Sequence, residues 1–263
     1  MTTSDSLPAR LADLVDRATA ADGSPPFSDG ALVALAQGAR TLVELGSAVA
    51  VVGEDEAELV VDPDARRRGE GGRILDRLLA DGSTLFWAHG DHPGARALAA
   101  SRGLTAVRTL LHLEAPVVER SRDLPTGISA ALDHRDWQEP WLALNARAFA
   151  SHPEQGAVTR ADLDVLTAEP WFDPADVLLL WDGDDLVGYC WIKDDEFYVV
   201  GVDPDRQGEG LGRRLVEAGF ARLASKGIRL AHLYVEGDNE PALALYRAYG
   251  FAPRSVDVQY GRR

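Results

Sequence analysis

The stretch that decides the fold reads Val202-Asp203-Pro204-Asp205-Arg206-Gln207-Gly208-Glu209-Gly210-Leu211-Gly212-Arg213-Arg214, an apolar strand followed by a glycine-rich turn and a helix. A helix that opens on such a turn leaves its first backbone N–H groups without intrahelical partners. Those groups converge where the helix dipole adds positive potential, which suits an anion such as pyrophosphate. The glycines let phosphate oxygens approach the backbone without a Cβ in the way. The pattern predicts a site for a phosphorylated ligand.

Two other phosphate motifs do not fit this turn. The dinucleotide fingerprint requires a third glycine where the chain has Arg213. A nucleotide-triphosphatase loop requires Gly-Lys-Ser/Thr, and neither Lys193 nor Lys226 is so placed. The pattern that fits is Gln/Arg-x-x-Gly-x-Gly, beginning at Gln207. It resembles the acetyl-coenzyme A pyrophosphate loop of the GCN5-related N-acetyltransferases, the GNAT family, although an ordinary glycine-bearing turn remains the alternative for one copy alone.

A degenerate copy of the stretch occurs earlier, as Val61-Asp62-Pro63-Asp64-Ala65-Arg66-Arg67-Arg68-Gly69-Glu70-Gly71-Gly72. A strand-like segment, a Gly-Asp pair and a helix-like segment follow each copy. The spacing from Gly90 to Gly103 equals the spacing from Gly237 to Gly250. The chain is therefore predicted to be α/β, with two tandem GNAT-like domains, each a mixed, mostly antiparallel central sheet flanked by helices.

The boundary between the two halves is expected near 115–125, where prolines and charged residues interrupt the periodicity. We place an N-terminal domain at 1–118 and a C-terminal domain at 119–263. In each half the aspartate of the Gly-Asp pair, Asp91 or Asp238, is expected to cap the following helix. The second half is predicted to contain helices at 137–150 and 159–168 and strands at 127–132, 177–181, 186–193 and 197–202.

Composition narrows the classes of function. The 263 residues carry 27 Lys plus Arg against 42 Asp plus Glu, and this net charge of −15 argues against a nucleic-acid partner. No segment approaches the apolar length that spans a membrane. Cys190 is the single cysteine, which agrees with a reducing compartment. His89 and His92 lack a third ligand nearby, so we expect turn and cap roles and no metal. We expect a monomeric cytoplasmic protein whose partner is a small-molecule amine.

Acetyl transfer to an amine requires a general base, an oxyanion donor and an acid for the departing thiolate. Glu196 is the candidate base, with a solvated surface carboxylate as the alternative. Tyr246 lies where many acetyltransferases of this superfamily place the acid, and a core tyrosine is its alternative. The resemblance implies Val200 as the backbone donor to the thioester carbonyl. The first half has Ala99 at the position of Tyr246, so we expect that half to be catalytically inactive.

Longer strings resemble a narrower family, the mycothiol synthases. They include Asn145-Ala146-Arg147-Ala148-Phe149-Ala150-Ser151-His152-Pro153-Glu154-Gln155-Gly156 and Leu233-Tyr234-Val235-Glu236-Gly237-Asp238-Asn239. The resemblance implies an actinobacterial enzyme that moves acetyl from acetyl-coenzyme A to the cysteinyl amine of 1-D-myo-inositol 2-(L-cysteinylamino)-2-deoxy-α-D-glucopyranoside, the last step of mycothiol biosynthesis. It also implies contacts to that substrate from Asp29, Glu154, Lys193, Glu196 and Tyr234.

The same resemblance implies two positions for acetyl-coenzyme A. The productive molecule would be held by Val200, Gly201, Val202, Gln207, Gly208, Glu209, Gly210, Leu211, Gly212, Arg213, Asn239, Glu240, Pro241, Ala242, Leu243 and Ala244. A second, non-productive molecule would be held in the first half by Leu59, Val60, Val61, Arg67, Arg68, Gly69, Glu70, Gly71 and Gly72.

The chain departs from the family pattern in three places. The first half is short between Gly38 and Leu59, which leaves room for only a trimmed hairpin before the glycine loop. Asp29 stands where that pattern has a glutamate, and Gly208-Glu209 replaces a more basic pair in the productive loop. Two alternative functions stay open at this point. One is a GNAT N-acetyltransferase for another small amine or a protein N-terminus, and the other is a non-catalytic acetyl-coenzyme A sensor.

Overall fold

A computed structural model of the chain describes residues 9–117, 122–150 and 155–262. Its helices are α1 (Ala9–Asp22), α2 (Asp29–Ala36), α3 (Glu70–Ala80), α4 (Pro93–Ala100), α5 (Gln138–Ala148), α6 (Arg160–Ala168), α7 (Leu211–Ser225) and α8 (Glu240–Ala248). Its strands are β1 (Thr41–Leu45), β2 (Ala48–Val52), β3 (Glu56–Val61), β4 (Leu85–Ala88), β5 (Thr105–Pro116), β6 (Ile128–Ala130), β7 (Val177–Asp182), β8 (Asp185–Lys193), β9 (Glu196–Val202), β10 (Leu230–Glu236) and β11 (Ala252–Gly261).

The described chain divides into two compact units. Unit 1 comprises Met1–His112, Glu236–Asp238 and Arg254–Arg263, and unit 2 comprises Leu113–Val235 and Asn239–Pro253. The division predicted after residue 118 falls in 118–121, which lie outside the described residues.

Unit 1 is built on a sheet with the strand order β1-β2-β3-β4-β11-β5. Strands β3 and β4 run parallel, while β1–β2, β2–β3 and β4–β11 are antiparallel pairs. The apolar side of α3, including Ile74 and Leu78, packs with Ala57 and Phe86 of the sheet. The last strand of the chain thus contributes to unit 1, which the order of elements along the sequence does not indicate.

Unit 2 is built on the strand order β5-β10-β9-β8-β7-β6. Strands β9 and β10 are parallel, and β6–β7, β7–β8 and β8–β9 are antiparallel. Its core is aromatic: Trp141 and Trp191 meet nearly edge to face with ring centroids 5.5 Å apart, and the buried Tyr189 hydroxyl donates to Asn145 Oδ1 at 2.6 Å. The predicted mixed, mostly antiparallel sheet with flanking helices is confirmed.

Helix caps correct one expectation from the sequence. Asn239 caps α8, accepting from the Ala242 N–H at 3.2 Å, and His92 caps α4, accepting from the Gly94 N–H at 3.0 Å. The prediction that Asp91 and Asp238 are the caps is wrong by one residue. Prolines occupy the first turn of both helices, where a missing N–H costs nothing, and this sets each helix start later than the Gly-Asp pair alone suggests.

Candidate functional site

A fork opens between β9 and β10 in unit 2. Strand β9 pairs with β8 from Glu196 to Val202, whereas within these two described strands its register with β10 is confined to Glu196 opposite His232. Beyond that pair, the β10-facing edge of β9 has no strand partner. Backbone polar groups on such an edge require another partner, so residues 200–202 are placed to receive a ligand.

The glycine loop leads from this fork into the start of α7. Gly208 and Gly210 have φ values of +85° and +82°, a left-handed conformation that favours glycine. Gly210 precedes α7 and provides no side-chain cap, so the first turn of the helix keeps N–H groups for an external acceptor. A Cβ on Gly212 would lie 3.1 Å from Leu245, so that glycine allows close packing against α8. These features fit the pyrophosphate of coenzyme A.

The arginines beside the loop differ in whether a carboxylate pairs with them. Arg206 is paired with Asp182 at 2.8 Å and with Glu209 at 2.9 Å, so carboxylates already neutralise its charge. Arg213 is exposed and has no ion-pair partner among the residues described here. Of these two arginines, Arg213 is therefore the one whose charge is not paired with a carboxylate of the described chain.

Three polar side chains form a row across β8, β9 and β10. Lys193 is registered with Glu196, and Glu196 with His232. His232 Nε2 lies 3.8 Å from Glu196 Oε2, and the two side chains are 25% and 20% exposed. Burial raises the pKa of Glu196, while His232 and Lys193 oppose that rise. A half-buried carboxylate with a raised pKa is suited to act as a proton acceptor near neutral pH.

Aromatic side chains hold Lys193 in this row. Its ammonium lies 4.9 Å from the centre of the Trp171 ring and 5.6 Å from that of Tyr198. Cation–π attraction over two rings fixes the ammonium without neutralising it. Lys193 was expected from the family resemblance, but the roles of Trp171, Tyr198 and His232 were missed. Alternation along a strand places His232 on the same face as Tyr234, and that period of two was the available signal.

Tyr246 lies on α8 and is buried, with 9% of its surface exposed. Its ring contacts Phe251 with centroids 5.6 Å apart, and its hydroxyl has no hydrogen-bond partner within the described part of the chain. Burial raises the pKa of Tyr246, so the phenol keeps its proton at neutral pH. A protonated, unpartnered hydroxyl is what a general acid requires.

The remaining substrate-binding candidates have different surroundings. Tyr234 is 49% exposed on β10, and its ring stands perpendicular to that of His232. Asp29 is the exposed first residue of α2 in unit 1. Glu154 lies outside the described residues, so its role stays a prediction.

Unit 1 contains a cleft of about 710 Å³ at the corresponding glycine loop. Strands β3 and β4 pair only from Glu56 to Glu58, and the cleft opens beyond that pairing. Every predicted first-half contact to acetyl-coenzyme A except Arg68 lines it, namely Leu59, Val60, Val61, Arg67, Gly69, Glu70, Gly71 and Gly72. This cleft lies in the unit without the candidate base and acid.

A buried ion-pair cluster lies beside that cleft. His89 Nε2 is 3.1 Å from Glu58 Oε2, and His89 Nδ1 is 2.9 Å from Asp257 Oδ2. Burial lowers the pKa of His89, but hydrogen bonds to Asp257 and Glu58 outweigh it and raise the pKa to about 9. The expected turn and cap roles agree with the backbone, since His89 begins the 3-10 turn His89–Asp91 and His92 caps α4. The ion pairs of His89 were not predicted, because its carboxylate partners come from distant parts of the chain.

Neither a membrane-spanning helix nor a metal cluster is found in the described residues. No helix there combines the length and apolarity needed to cross a bilayer. No group of three or more His, Cys, Asp or Glu side chains is arranged there to hold a metal ion.

Comparison with solved structures shows the fold. A GCN5-related N-acetyltransferase from Sphaerobacter thermophilus superposes with a TM-score of 0.72 at 20% identity, covering 99% of this chain and 93% of the other. A tandem GNAT protein from the clavulanic acid biosynthesis pathway gives a TM-score of 0.59 at 18% identity, covering 99% and 96%. The predicted tandem GNAT fold is confirmed.

Sequence comparison gives the family. Residues 134–251 match the model of the acetyltransferase (GNAT) family. A mycothiol acetyltransferase of Clavibacter michiganensis subsp. michiganensis is 50% identical, over 96% of this chain and 90% of the relative. A mycothiol acetyltransferase of Kytococcus sedentarius is 44% identical, over 95% and 92%. The chain is an N-acetyltransferase, and it belongs to the mycothiol acetyltransferase family.

Proposed function

We propose that the chain acetylates the cysteinyl amine of 1-D-myo-inositol 2-(L-cysteinylamino)-2-deoxy-α-D-glucopyranoside, with acetyl-coenzyme A as the acetyl donor, and so produces mycothiol. The observation that carries the chemistry is the position of Glu196, half-buried at the opening of the β9–β10 fork and in register with Lys193 and His232. The identity to mycothiol acetyltransferases over nearly the whole chain supports the substrate.

Different residues of unit 2 are assigned to different parts of acetyl-coenzyme A. The first turn of α7 and Arg213 face the pyrophosphate, and the free edge of β9 at 200–202 faces the pantetheine arm. The Val200 N–H donates to the thioester carbonyl and stabilises the negative charge that develops on its oxygen. When bound, acetyl-coenzyme A supplies the activated acetyl group and a thiolate leaving group.

Two side chains of unit 2 move the protons. Glu196 removes a proton from the cysteinyl ammonium, directly or through one water, which frees the nitrogen lone pair for attack. The raised pKa of Glu196 brings its proton affinity closer to that of the amine than an ordinary exposed carboxylate would be. Tyr246 donates its phenolic proton to the departing sulfur, since nothing else in the described chain binds its hydroxyl.

The family resemblance assigns the substrate contacts to Asp29, Glu154, Lys193, Glu196 and Tyr234. The carboxylates in this set suit an ammonium group. Lys193, held over Trp171 and Tyr198, donates to a carbonyl or hydroxyl oxygen of the pseudodisaccharide. The exposed Tyr234 offers a hydroxyl at the same face.

Unit 1 is proposed to hold a second acetyl-coenzyme A without turnover. Glu56 is opposite Leu85, as Glu196 is opposite His232, and Leu85 and His232 each lie five residues before a Gly-Asp pair. Glu56 therefore occupies the place of the base, but it is ion-paired with Arg40 and accepts from Trp87 Nε1 at 3.2 Å. With Ala99 in place of the acid and Glu56 paired with Arg40, this unit has a cleft for the ligand but lacks the free base and the acid that are proposed for unit 2.

Association and location follow from the same proposal. A small diffusible amine and acetyl-coenzyme A suit a cytoplasmic enzyme, and all proposed productive groups apart from Asp29 lie between residues 119 and 263. We therefore propose a monomer as the active form.

The test is an acetylation assay with a panel of amines. Purified chain and acetyl-coenzyme A are incubated with the cysteinyl pseudodisaccharide, its glucosaminyl-inositol precursor without cysteine, a polyamine, an aminoglycoside or a peptide. Mass spectrometry of the product then locates the acetyl group. Acetylation of the cysteinyl nitrogen alone supports the proposal. Turnover confined to another amine rejects the substrate, and tight acetyl-coenzyme A binding with no turnover indicates a sensor.

A further inference from the structure

In the Lys193–Glu196–His232 row, His232 is the residue that has no role in the proposed chemistry. His232 was not predicted as a site residue, yet it is registered directly opposite the proposed base. An inference about His232 rests on the proposed function, because it concerns how the Glu196 carboxylate is held in place and how it loses the proton that it accepts.

His232 lies between two carboxylates of unit 2. Its Nε2 is 3.8 Å from Glu196 Oε2, and its Nδ1 is 3.5 Å from Asp195 Oδ1. Its backbone N–H donates to the Asp195 carbonyl oxygen at 3.2 Å, which fixes the main chain of His232 beside the start of β9. Asp195 is 50% exposed, whereas Glu196 is 20% exposed. The imidazole thus joins an inner carboxylate to an outer one.

Other charged groups surround Glu196. Lys193 approaches from β8, and Asp194 and Asp195 come from the turn between β8 and β9. Tyr198 lies further along β9. On β10 the neighbouring titratable group is Tyr234, and on the unit 2 part of β5, the strand next to β10, it is Glu114.

Lys193 and His232 differ in their ability to relay a proton. Lys193 is held by two aromatic rings, and its single nitrogen cannot accept a proton at one atom and release one from another. His232 has two ring nitrogens, so it can accept a proton at one and release one from the other. Among the described charged groups around Glu196, His232 is the one that lies between Glu196 and the exposed Asp195.

We propose that His232 is a positioning residue for Glu196, holding the carboxylate at the opening of the fork and relaying its proton to Asp195 and solvent. The relay balances in protons. Glu196 gains the proton lost by the substrate ammonium and passes it through one bridging water to His232 Nε2, because their separation of 3.8 Å is longer than a hydrogen bond. His232 releases the proton on Nδ1 towards Asp195, and Glu196 returns to its charged form for the next cycle.

Removal of the imidazole is expected to alter the pH dependence of the reaction. Protonated His232 favours the charged form of Glu196, so its loss raises the pKa of Glu196 and moves the acidic limb of the kcat/KM profile to higher pH. We expect a displacement of about half a pH unit to one unit, since both groups are partly exposed. We expect kcat to fall about tenfold through loss of the relay.

The experiment uses His232→Gln in the full chain, because a glutamine amide replaces Nε2 and does not titrate. His134→Gln is the matched control: His134 is a half-buried histidine of unit 2 whose Nε2 lies 2.7 Å from Ser129 Oγ. Turnover of the cysteinyl substrate is measured across pH for wild type and both variants, with KM for acetyl-coenzyme A and the melting temperature.

A displaced acidic limb and a lower kcat in H232Q alone, with KM for acetyl-coenzyme A unchanged, support the inference. A profile that superposes on those of wild type and H134Q overturns it. A lower rate with an unmoved limb and a lower melting temperature also overturns it, since His232 would then only pack. Wild-type turnover is scored first: its absence rejects the proposed function, whereas turnover with an unmoved H232Q limb rejects this inference alone.

Discussion

Gly210 offers a test of the loop proposed to bind pyrophosphate. Its φ is +82°, and a Cβ built there meets nothing within 4 Å. Gly227, which follows α7 in the same unit, has a φ of +76° and equally open surroundings. Alanine at either position therefore changes only the backbone energy, and Gly227→Ala is a matched control for Gly210→Ala.

The size of the effect follows from the conformation. A non-glycine residue in the left-handed region costs about 1–2 kcal/mol, so both variants should lose about that much free energy of unfolding. In G210A the loop can relieve the strain by rotating, which turns the N–H groups at the start of α7 away from the phosphates. Misaligning one charge-assisted hydrogen bond costs about 1.5 kcal/mol or more, so KM for acetyl-coenzyme A should rise roughly tenfold in G210A alone.

The assay is steady-state turnover with varied acetyl-coenzyme A, together with urea unfolding of each variant. Steady-state KM reports the productive site, because unit 1 is proposed to lack a free base and acid. Equal KM values for G210A and G227A, at equal losses of stability, would refute the assignment of this loop to the pyrophosphate.

Three further substitutions test other groups. Glu196→Gln should lower kcat by about 10²-fold or more at neutral pH. A pH–rate profile should show that the variant recovers part of this rate as pH rises past the pKa of the substrate amine, about 8, because the amine then loses its proton without a base. A deficit that does not depend on pH contradicts a base role. Tyr246→Phe should slow turnover about tenfold or more, while Tyr249→Phe, whose hydroxyl binds Glu217 at 2.7 Å, should not; equal rates would mean that water protonates the sulfur. His89→Gln should cost unit 1 about 3 kcal/mol near pH 6, because the pKa of His89 is raised from 6.5 to about 9. The stability that His89 contributes is complete below about pH 6.5 and is lost as pH rises through about 9. Urea unfolding at pH values below and above this range should therefore show that the loss of unfolding free energy in H89Q shrinks as pH rises. A loss that stays constant with pH would contradict this.

Local patterns in the sequence identified much of the second half. Strands β7, β8 and β9 and the turn into α7 were predicted within a residue or two, because each depends on periodicity and glycines over a short window. Glu196 begins β9, the strand that leads into the loop, and its role as the base stays a prediction. Its partner His232 could be suspected only from the period of two along β10, since the pairing joins residues far apart in the chain.

Other features have no signal in a short window. Glu56 resembles any surface glutamate in the sequence, and only folding brings Arg40 and Trp87 to it. The Glu58–His89–Asp257 cluster is similar, because its members come from β3, the end of β4 and β11. Nothing near Arg206 in the sequence indicates that Asp182, the last residue of β7, lies 2.8 Å from it and neutralises its charge.

By itself the sequence determined the duplicated glycine loops, the family and the reaction class, since backbone conformation and phosphate binding at a helix start are encoded by neighbouring residues. Tertiary structure alone decided which charged groups form ion pairs with one another and which remain available to a ligand. The physical reason is that ion pairing and the burial that shifts a pKa depend on distances between segments remote in the chain, and these distances exist only after the sheets have formed.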